Sequence, residues 1–487
     1  MIPEVPAGLL AAISVRGVDL SVWPPRHDPG YLPGADEPSW LPEVETADPE
    51  QRDLVVLHKL RGQIRYAWEH TAFYRRHWEA AGVTPDTLRT LDDLRLFPVV
   101  TKADLRASQA ASPPYGEHLG VDPGEVFHVH GTSGTTGRPT VFGLSRGDWE
   151  RAGEAHARIM WGAGIRPSDT VMICSFFSLY MGSWGALAGT ERLGATALPF
   201  GAGVPGQTAR AVEWAAELRP SAFYGTPSYA LRLAEVAREE GVDPRNLGFR
   251  VLFFSGEPGA GIDATKRVIE KTFGGSCIDM GTMAEMTPWM TNAECTERTG
   301  MHLYQDIVHA EVCDPETYEP LPYGSTGTPV YTHLERTSQP MIRLVSGDRA
   351  LWVDDPCRCG RTYPRLPGGL HGRYDDMLII KGVNVYPSAI EDVLRAVDGF
   401  GGEFRIVAAR DEAVDRLIVR VEHGAAGSGG TKRSAVGGEI AERLRRRIGV
   451  GAVVELVVPG SLERTEFKSR RVIDDRDLYQ SMSRSVR

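Results

Sequence analysis

Hydrophobic residues between positions 53 and 80 recur every three or four residues, which is the spacing of one face of a helix. From residue 125 to residue 345, short apolar runs alternate with helical patterns. The runs 171–176 and 251–254 predict buried strands, and the segments 150–161 and 229–240 predict the helices between them. Such alternation is typical of an α/β fold with at least partly parallel sheets.

The pattern changes after residue 372 to that of a compact α+β unit. Strands are predicted at 377–380, 405–409, 417–422 and 453–458, helices at 388–397 and 440–448, and a Gly/Ser-rich mobile loop at 425–438. Residues 1–50 are rich in Pro, Asp and Glu and indicate an extended arm packed on the body. The predicted domains are therefore an arm (1–50), a large domain (51–372) and a small domain (373–487).

The composition narrows the class of protein. The chain has 487 residues, too many for one hydrophobic core, and its net charge of -10 argues against a general nucleic-acid binder. We see neither an apolar run of about 20 residues nor a signal peptide, so we expect a cytoplasmic protein without a membrane partner. Six cysteines are too few for a disulfide framework at this length. The sequence leaves open whether the chain forms a homodimer.

A glycine- and hydroxyl-rich segment, HGTSGTTGRPT at residues 130–140, is the strongest candidate for binding a ligand. Glycine lets the backbone approach a ligand closely, and consecutive N–H groups with Ser and Thr hydroxyls grip phosphate. The segment lacks the lysine of a Walker A loop, because Arg138 and Pro139 follow Gly137. The pattern therefore predicts a phosphate site of another kind.

Further polar segments follow the predicted strands in a fixed order. They are SGEP at 255–258, DMGTMAE at 279–285, SGD at 346–348, GRYDD at 372–376 and RTEFK at 464–468. In open α/β sheets, ligands bind beside the carboxyl ends of the strands, where the first two of these segments lie.

Taken in this order, the segments resemble those of the adenylate-forming enzymes, most closely the phenylacetate–CoA ligase-like branch. The glycine-rich loop and the run GRYDDMLIIKGVNVYP at 372–387 carry most of this resemblance, which covers residues 55–475. It implies a large N-terminal α/β domain with several sheets and a small mobile C-terminal α+β domain. It also implies that a carboxylate attacks the α-phosphate of ATP, and that a thiol, usually of CoA, then attacks the acyl-adenylate.

The resemblance also implies roles for particular residues. The phosphates of ATP would be held by Ser133, Gly134, Thr135, Thr136 and Gly137, and the adenine pocket would be lined by Gly256, Glu257 and Pro258, with Met280 and Gly281 beside the nucleotide. Glu285 would hold Mg²⁺, Asp348 would bind the ribose, and Arg373 would reach the ribose or phosphates. Lys468 would neutralise the α-phosphate during adenylation.

The small domain would change position between the two steps. Asp375 would be the hinge, and Lys381 would border the thiol's tunnel in the second step. Both steps act on one carbonyl but need different groups, which explains why a movable domain is useful.

The chain departs from the family at the metal carboxylate. Relatives usually carry Tyr-Gly-x-[Ser/Thr]-Glu, whereas residues 281–285 here read Gly-Thr-Met-Ala-Glu. Thr282 could partly substitute for the missing hydroxyl, and we expect Gly281 to open the acyl pocket. We expect the rest of that pocket to include Phe177, Tyr180, Gly182, Trp184 and Tyr224. Its aromatic lining favours an aryl or arylacetic acid.

Four residues form a candidate structural zinc site. Cys357 and Cys359 lie on one turn, and Cys295 and His302 lie upstream, after Glu285. Three Cys and one His make a closed tetrahedral zinc set. Some members of the phenylacetate–CoA ligase-like branch resemble this arrangement and bind zinc there. The alternative is that the thiols are reduced and buried, and Cys313 could replace one ligand.

The sequence therefore predicts an aryl acid–CoA ligase, with two alternatives. One is an aryl acid adenylating enzyme that passes the acyl group to a separate carrier protein or to an amine. The other is a non-catalytic nucleotide-binding paralogue, a hypothesis motivated by Ala284 and opposed by the presence of Glu285 and Lys468.

Overall fold

The computed structural model describes residues 15–132, 140–202, 206–257, 259–288, 290–374, 377–381, 383–411, 414–424, 430–463 and 471–476. Helices are packed among several β-sheets in these ranges, which confirms the expected α/β class. Within them, we find no helix long and apolar enough to cross a membrane.

The N-terminal elements include two helices where the sequence pattern suggested one. The first ends at His70 and the second begins at Ala72. Thr71 separates them because its backbone is extended and its hydroxyl accepts a hydrogen bond from Tyr74 N at 3.4 Å, capping the second helix. The elements are β1 Val18–Asp19, β2 Arg26–His27, α1 Pro42–Glu45, α2 Pro49–His70, α3 Ala72–Ala81 and α4 Lys102–Ala111.

A five-stranded parallel sheet with strand order β6-β5-β7-β8-β9 lies at the centre of the large domain. Every residue of β7 and β8 is buried, as expected for the apolar run at 251–254. The elements are β3 Val126–Gly131, β4 Val141–Ser145, α5 Arg146–Gly162, β5 Thr170–Ile173, α6 Met181–Leu193, β6 Thr196–Leu198, α7 Gln207–Leu218, β7 Ala222–Gly225, α8 Pro227–Glu239, β8 Val251–Phe254, α9 Asp263–Phe273 and β9 Ser276–Asp279.

Short antiparallel sheets follow the parallel one. One has the order β10-β11-β16, and another pairs β13 with β12, β14 and β15. The elements are β10 Asn292–Ala293, β11 Met301–Leu303, β12 Val308–Cys313, β13 Thr326–His333, β14 Leu344–Val345, β15 Ala350–Leu351 and β16 Arg365–Leu366.

The C-terminal elements form a small domain with a hydrophobic core of its own, built from residues 378–472. Its main sheet has the order β21-β20-β19-β22, and β17 and β18 form a hairpin. The predicted strands and helices are confirmed. The elements are β17 Leu378–Ile380, β18 Val383–Val385, α10 Pro387–Arg395, β19 Phe400–Asp411, β20 Val414–His423, α11 Gly430–Ile448, β21 Ala452–Val457 and β22 Val472–Asp474.

The predicted loop at 425–438 is wrong for residues 430–438, which belong to α11. Residues 425–429 lie outside the described residues. Val436 packs against the core of the small domain, where Ile440 and Leu444 are fully buried. Tertiary packing of this apolar face outweighs the low helix propensity of the local glycines.

A buried ion cluster joins the N-terminal arm to the large domain. Arg158 on α5 contacts Glu45 Oε1 at 2.9 Å and both carboxylate oxygens of Asp306, at 2.7 and 3.0 Å. Glu45 is fully buried and also accepts a hydrogen bond from Arg361 Nε at 2.8 Å. Although burial disfavours the charged form, Asp306 and Glu45 hold the pKa of Arg158 above its usual value. The arm is thus held by charges that water cannot screen.

We expect Arg158→Met to destabilise the protein by about 3–5 kcal/mol, because it leaves two buried carboxylates without this partner. Chemical denaturation would measure the loss. Arg446→Met is the matched control, since Arg446 is 77% exposed where it pairs with Glu442, and such pairs contribute less than about 1 kcal/mol. Equal and small effects of the two substitutions would contradict this account of the cluster.

Candidate active site

The candidate site lies at one edge of the parallel sheet. Strands β5, β7, β8 and β9 run in the same direction, so the loops that follow them leave from the same edge. These loops comprise residues 174–180, 226, 255–257 and 280–285. The glycine-rich segment follows β3, and its residues 133–137 lie outside the described residues.

Glu285 is a buried carboxylate suited to a divalent cation. It lies on a single 3-10 turn, Ala284–Met286, and its side chain is 1% exposed. Neither of its carboxylate oxygens accepts a hydrogen bond from a described residue. Lys102, in the first turn of α4, places Nζ 3.5 Å from Glu285 Oε1. Buried oxygens without hydrogen bonds are costly unless a cation or another partner satisfies them.

Asp348 and Arg373, the two residues expected near the ribose, lie in contact. Arg373 Nη1 is 3.5 Å from Asp348 Oδ1, and the backbones of the two residues form an isolated β-bridge. Asp348 N donates a hydrogen bond to Ser346 Oγ at 3.0 Å, which fixes the turn. The end of the large domain and the start of the small domain therefore meet at this point.

A second buried carboxylate, Asp279, ends β9. Glu294 accepts a hydrogen bond from the Asp279 backbone N–H at 2.9 Å and forms an ion pair with Lys266 at 2.6 Å. Burial and the nearby Glu294 raise the pKa of Asp279 to about 8. Gly261 and Gly369 approach so closely that a Cβ on either would lie 2.5 Å from Asp279 Oδ2. Asp279 thus lies against the two loops that contain Gly261 and Gly369.

Hydroxyl groups meet a glycine where the sequence predicts the acyl pocket. Tyr224 Oη and Ser255 Oγ are hydrogen-bonded at 2.7 Å. A Cβ on Gly182 would lie 2.4 Å from Tyr180 Cε1 and 2.6 Å from Tyr224 Oη, so the Tyr180 ring and the Tyr224 hydroxyl lie against that glycine. A Cβ on Gly281 would lie 3.4 Å from Ser255 Cβ. This region is therefore narrow and carries polar groups.

Phe177 and Trp184, also predicted in the acyl pocket, pack against each other edge to face, with ring centroids 5.2 Å apart. The Trp184 ring is also 6.1 Å from His128 and 6.5 Å from His130, on the strand that precedes the glycine-rich loop. Burial lowers the pKa of His130 to about 4, so this ring is neutral at pH 7. Phe177 and Trp184 form an aromatic group with these histidines.

The remaining predicted residues divide into two sets. Gly256, Glu257, Met280, Gly281 and Thr282 follow β8 and β9 at the same edge of the sheet, and Lys381 lies in the β17–β18 turn with a φ of 51°. The residues that lie outside the described part of the chain are Ser133, Gly134, Thr135, Thr136, Gly137, Pro258, Asp375 and Lys468.

The four candidate zinc ligands lie together although they are far apart in sequence. The ligand atoms of Cys295, His302, Cys357 and Cys359 are all within 4.8 Å of one another. Cys295 Sγ is 3.8 Å from Cys357 Sγ, and Cys359 Sγ is 3.4 Å from His302 Nε2. Tetrahedral zinc with Zn–S bonds of about 2.3 Å separates two sulfurs by about 3.8 Å.

Other features of this cluster also suit a metal. Hydrogen bonding from Cys295 holds the pKa of the Cys359 thiol well below its usual value, which favours a thiolate. Sheet β10-β11-β16 positions His302, which pairs with Ala293 and Arg365. Cys313, considered as a substitute ligand, lies elsewhere on β12, with its Sγ 3.9 Å from Arg343 Nη2.

Comparison with known families decides which class of protein this is. The AMP-binding enzyme model matches residues 80–331, and the AMP-binding enzyme C-terminal domain model matches residues 382–476. The chain belongs to the AMP-binding enzyme family. The two matched segments correspond to the parallel-sheet region and to the small domain.

Individual relatives agree with this membership. The chain is 34% identical to "Phenylacetate-coenzyme A ligase" of Thermus thermophilus, over 89% of this chain and 99% of the relative. It is 52% identical to the crystal structure of 2-hydroxyisobutyryl-CoA ligase in the postadenylation state with 2-HIB-AMP, covering 96% and 99% of the two chains, with a TM-score of 0.92. This member of the family is therefore an ATP-dependent acid–thiol ligase, which forms an acyl-adenylate and transfers the acyl group to CoA.

A second structure of the same relative shows another state. Its thioesterification state, with 2-HIB-AMP and CoA, is 53% identical, covers 96% of this chain and 99% of its own, and has a TM-score of 0.73. The chain is therefore more similar to the postadenylation state of this relative than to its thioesterification state.

Some contributors to the site were not predicted. Lys102 lies on α4 and pairs with the buried Glu285. Lys266 lies on α9 and pairs with Glu294, which follows β10. In sequence they are ordinary charged residues. The one signal for Lys102 was its place after Thr101, a helix N-cap, which fixes it in a first turn.

We expect the free energy of unfolding to fall less steeply with rising pH in Asp279→Asn than in wild type. The folded pKa near 8 lies above the unfolded value of 3.8, so this group's contribution is fully present below the unfolded pKa and is lost as pH rises through 8. The free energy of unfolding, measured by urea denaturation between pH 5 and about 9, would show this.

Asp314→Asn is the matched control. Hydrogen bonds from Thr317 lower the pKa of the exposed Asp314. Any change of stability with pH that this carboxyl causes therefore occurs below the measured pH range. Parallel wild-type and Asp279→Asn curves would show that the Asp279 carboxyl does not titrate as described.

Proposed function

We propose that the acid activated by this ligase is a small hydroxylated carboxylic acid. The observation that carries the proposal is the hydroxyl pair of Tyr224 and Ser255, which lies against Gly182 at the carboxyl edge of the sheet. A buried hydroxyl pair of this kind can exchange hydrogen bonds with a substrate hydroxyl. Support also comes from the relative that is 52% identical, whose structure contains 2-HIB-AMP.

The space beside Gly182 supports a small acyl group. Tyr180 and the Tyr224 hydroxyl fill the space that a side chain at position 182 would occupy. The absence of a side chain there therefore adds no room for a large acyl group. Phe177 and Trp184, which we expected to line an aromatic pocket, pack on each other, and Trp184 also lies near the His128 ring.

An aryl or arylacetic acid is the second candidate. It is favoured by the curated relatives named phenylacetate-coenzyme A ligase, which are 32–34% identical to this chain. Phe177 and Trp184 would then contribute to the lining, as the sequence suggested. The two candidates differ in one property, namely whether the substrate hydroxyl contributes to binding.

The expected roles of the site residues are part of this proposal. Glu285 would hold Mg²⁺, because both of its buried oxygens lack hydrogen bonds from the described residues. When bound, Mg²⁺ bridges phosphate oxygens and offsets charge on the leaving pyrophosphate. Asp348 would accept hydrogen bonds from the ribose hydroxyls, with Arg373 beside it. Lys468 is expected to neutralise charge at the α-phosphate.

The proposed acid class can be tested by comparing a hydroxy acid with the matching acid that lacks the hydroxyl. We expect wild type to prefer the hydroxy acid in kcat/KM for CoA thioester formation. Tyr224→Phe removes a hydrogen-bonding hydroxyl and should lower that preference by about 10- to 100-fold. A panel of arylacetic acids run in parallel measures the second candidate.

Tyr304→Phe is the matched control, because Tyr304 is a fully buried tyrosine packed on Tyr363 with ring centroids 5.1 Å apart. It should leave the preference unchanged. A wild-type preference for arylacetic acids, or an unchanged preference in Tyr224→Phe, would reject the hydroxy-acid proposal. Thioester formation with free CoA also separates this reading from transfer to a carrier protein or an amine.

We further propose that Cys295, His302, Cys357 and Cys359 bind a structural zinc ion. The support is the separation of the ligand atoms, which suits tetrahedral coordination. Such a site would brace the segment after Glu285 against the turn after Asp348 without taking part in the reaction.

The zinc content of the protein, purified in metal-free buffer and measured by mass spectrometry, would test this second proposal. We expect one zinc ion per wild-type chain and a large loss in Cys359→Ser, together with a lower thermal midpoint. Cys313→Ser, which changes a buried cysteine outside the cluster, should keep its zinc. Wild-type protein with well below one zinc per chain would rule out the site.

A further inference from the structure

A buried arginine of the small domain contacts the large domain. Arg471 precedes β22, and its side chain is 10% exposed. Within the small domain, Arg471 Nη1 lies 2.9 Å from Glu391 Oε1 and Nε lies 3.2 Å from Glu403 Oε1. Its Nη2 donates a hydrogen bond to Ser228 Oγ, across the domain boundary, at 3.3 Å.

On the large-domain side, this contact leads to the predicted adenine segment. Ser228 lies in the first turn of α8, and its backbone N–H donates a hydrogen bond to Glu257 Oε1 at 2.8 Å. Glu257 follows β8 directly, at the edge where the nucleotide is expected. One chain of contacts therefore runs from Arg471 through Ser228 to Glu257.

Three arginines of the small domain meet two of its carboxylates among the described residues. Arg395 contacts Glu391 at 2.7 Å and Arg405 contacts Glu403 at 2.8 Å, so both carboxylates already have an arginine before Arg471 joins them. Since this cluster is largely buried, solvent screens its charges poorly.

The third carboxylate comes from the large domain. Burial disfavours the charged form of Arg471, but Glu391, Glu403 and Glu257 together raise its pKa above the usual value. Glu257 thus attracts the Arg471 guanidinium from the large-domain side. Domain separation would remove this attraction, which makes the contact sensitive to domain position.

The structure in which this contact exists has a TM-score of 0.92 with the postadenylation state of the 52% identical relative and of 0.73 with its thioesterification state. We propose that Arg471 is a positioning residue that latches the small domain to the Ser228–Glu257 segment during adenylation. We expect the latch to open before thioester formation, because the structure with this contact resembles the thioesterification state less closely. The latch would therefore favour the first half-reaction over the second.

The test separates the two half-reactions with Arg471→Gln, Ser228→Ala and the control Arg395→Gln. Pyrophosphate exchange with ATP, Mg²⁺ and an accepted acid reports adenylation, and CoA thioester formation from preformed adenylate reports the second step. We expect Arg471→Gln to lower the ratio of the first rate to the second by about tenfold, as one lost charge contact typically does. Ser228→Ala should lower the ratio in the same direction.

Arg395→Gln removes one charge from the same cluster, and the described contacts of Arg395 are Glu391 and the Phe400 ring, both in the small domain. We expect it to leave the ratio unchanged. An equal loss of both half-reactions in Arg471→Gln would instead mean that Arg471 only stabilises its own domain.

A second readout distinguishes a latch from an effect on Lys468, which precedes Arg471 by three positions in the sequence. Energy transfer between dyes on exposed surfaces of the two domains reports the domain arrangement without turnover. Arg471→Gln and Ser228→Ala should both shift the population away from the wild-type arrangement. An unchanged population in both variants would overturn the proposal, and Ser228→Ala alone decides it if Arg471→Gln does not fold.

Discussion

The parallel direction of strands β5, β7, β8 and β9 is the constraint on which the candidate site depends. Parallel strands end at one edge, so residues separated by a hundred positions in sequence come together there. The hydroxyl pair of Tyr224 and Ser255, the adenine segment around Glu257, and Glu285 all follow these strands. A change in the direction of one strand would move its loop to the opposite edge.

Buried charges determine how firmly these loops are held. The Arg158 cluster anchors the arm, and the Lys266–Glu294 pair lies beside Asp279 behind the nucleotide segment. Glu285 differs from these because its oxygens lack hydrogen bonds from the described residues and its ion pair with Lys102 is 3.5 Å long. Carboxylates that accept hydrogen bonds or form short ion pairs fix structure, whereas the long pairing of Glu285 suits the cation-binding role proposed for it.

The two domains share the site unequally. The large domain supplies the sheet edge, while the small domain reaches it through Arg471 and through the Asp348–Arg373 contact. The Asp348–Arg373 contact lies where the chain passes from one domain to the other, whereas Arg471 is far from that connection in sequence. A contact remote from the connection is sensitive to domain rotation, which is why the proposed positioning role falls to Arg471 rather than to Arg373.

Much of the fold could be predicted from the sequence, because long apolar runs and helical spacing report local burial. The strands at 251–254 and 417–422 and the helix at 229–240 are examples. The loop at 425–438 was mispredicted because its glycines are unfavourable for a helix in isolation, whereas packing of Val436 and Ile440 stabilises α11.

The sequence by itself determined the reaction class, because the order of the motifs and the presence of Glu285 and Lys468 are properties of the chain. Tertiary structure alone decided which groups meet. It brought Lys102 to Glu285, Arg471 to Ser228, and Cys295 to Cys357, which are 62 positions apart. Lone charged residues and thiols carry no periodic signal, so their partners emerge only when the sheet edge and the two domains are assembled.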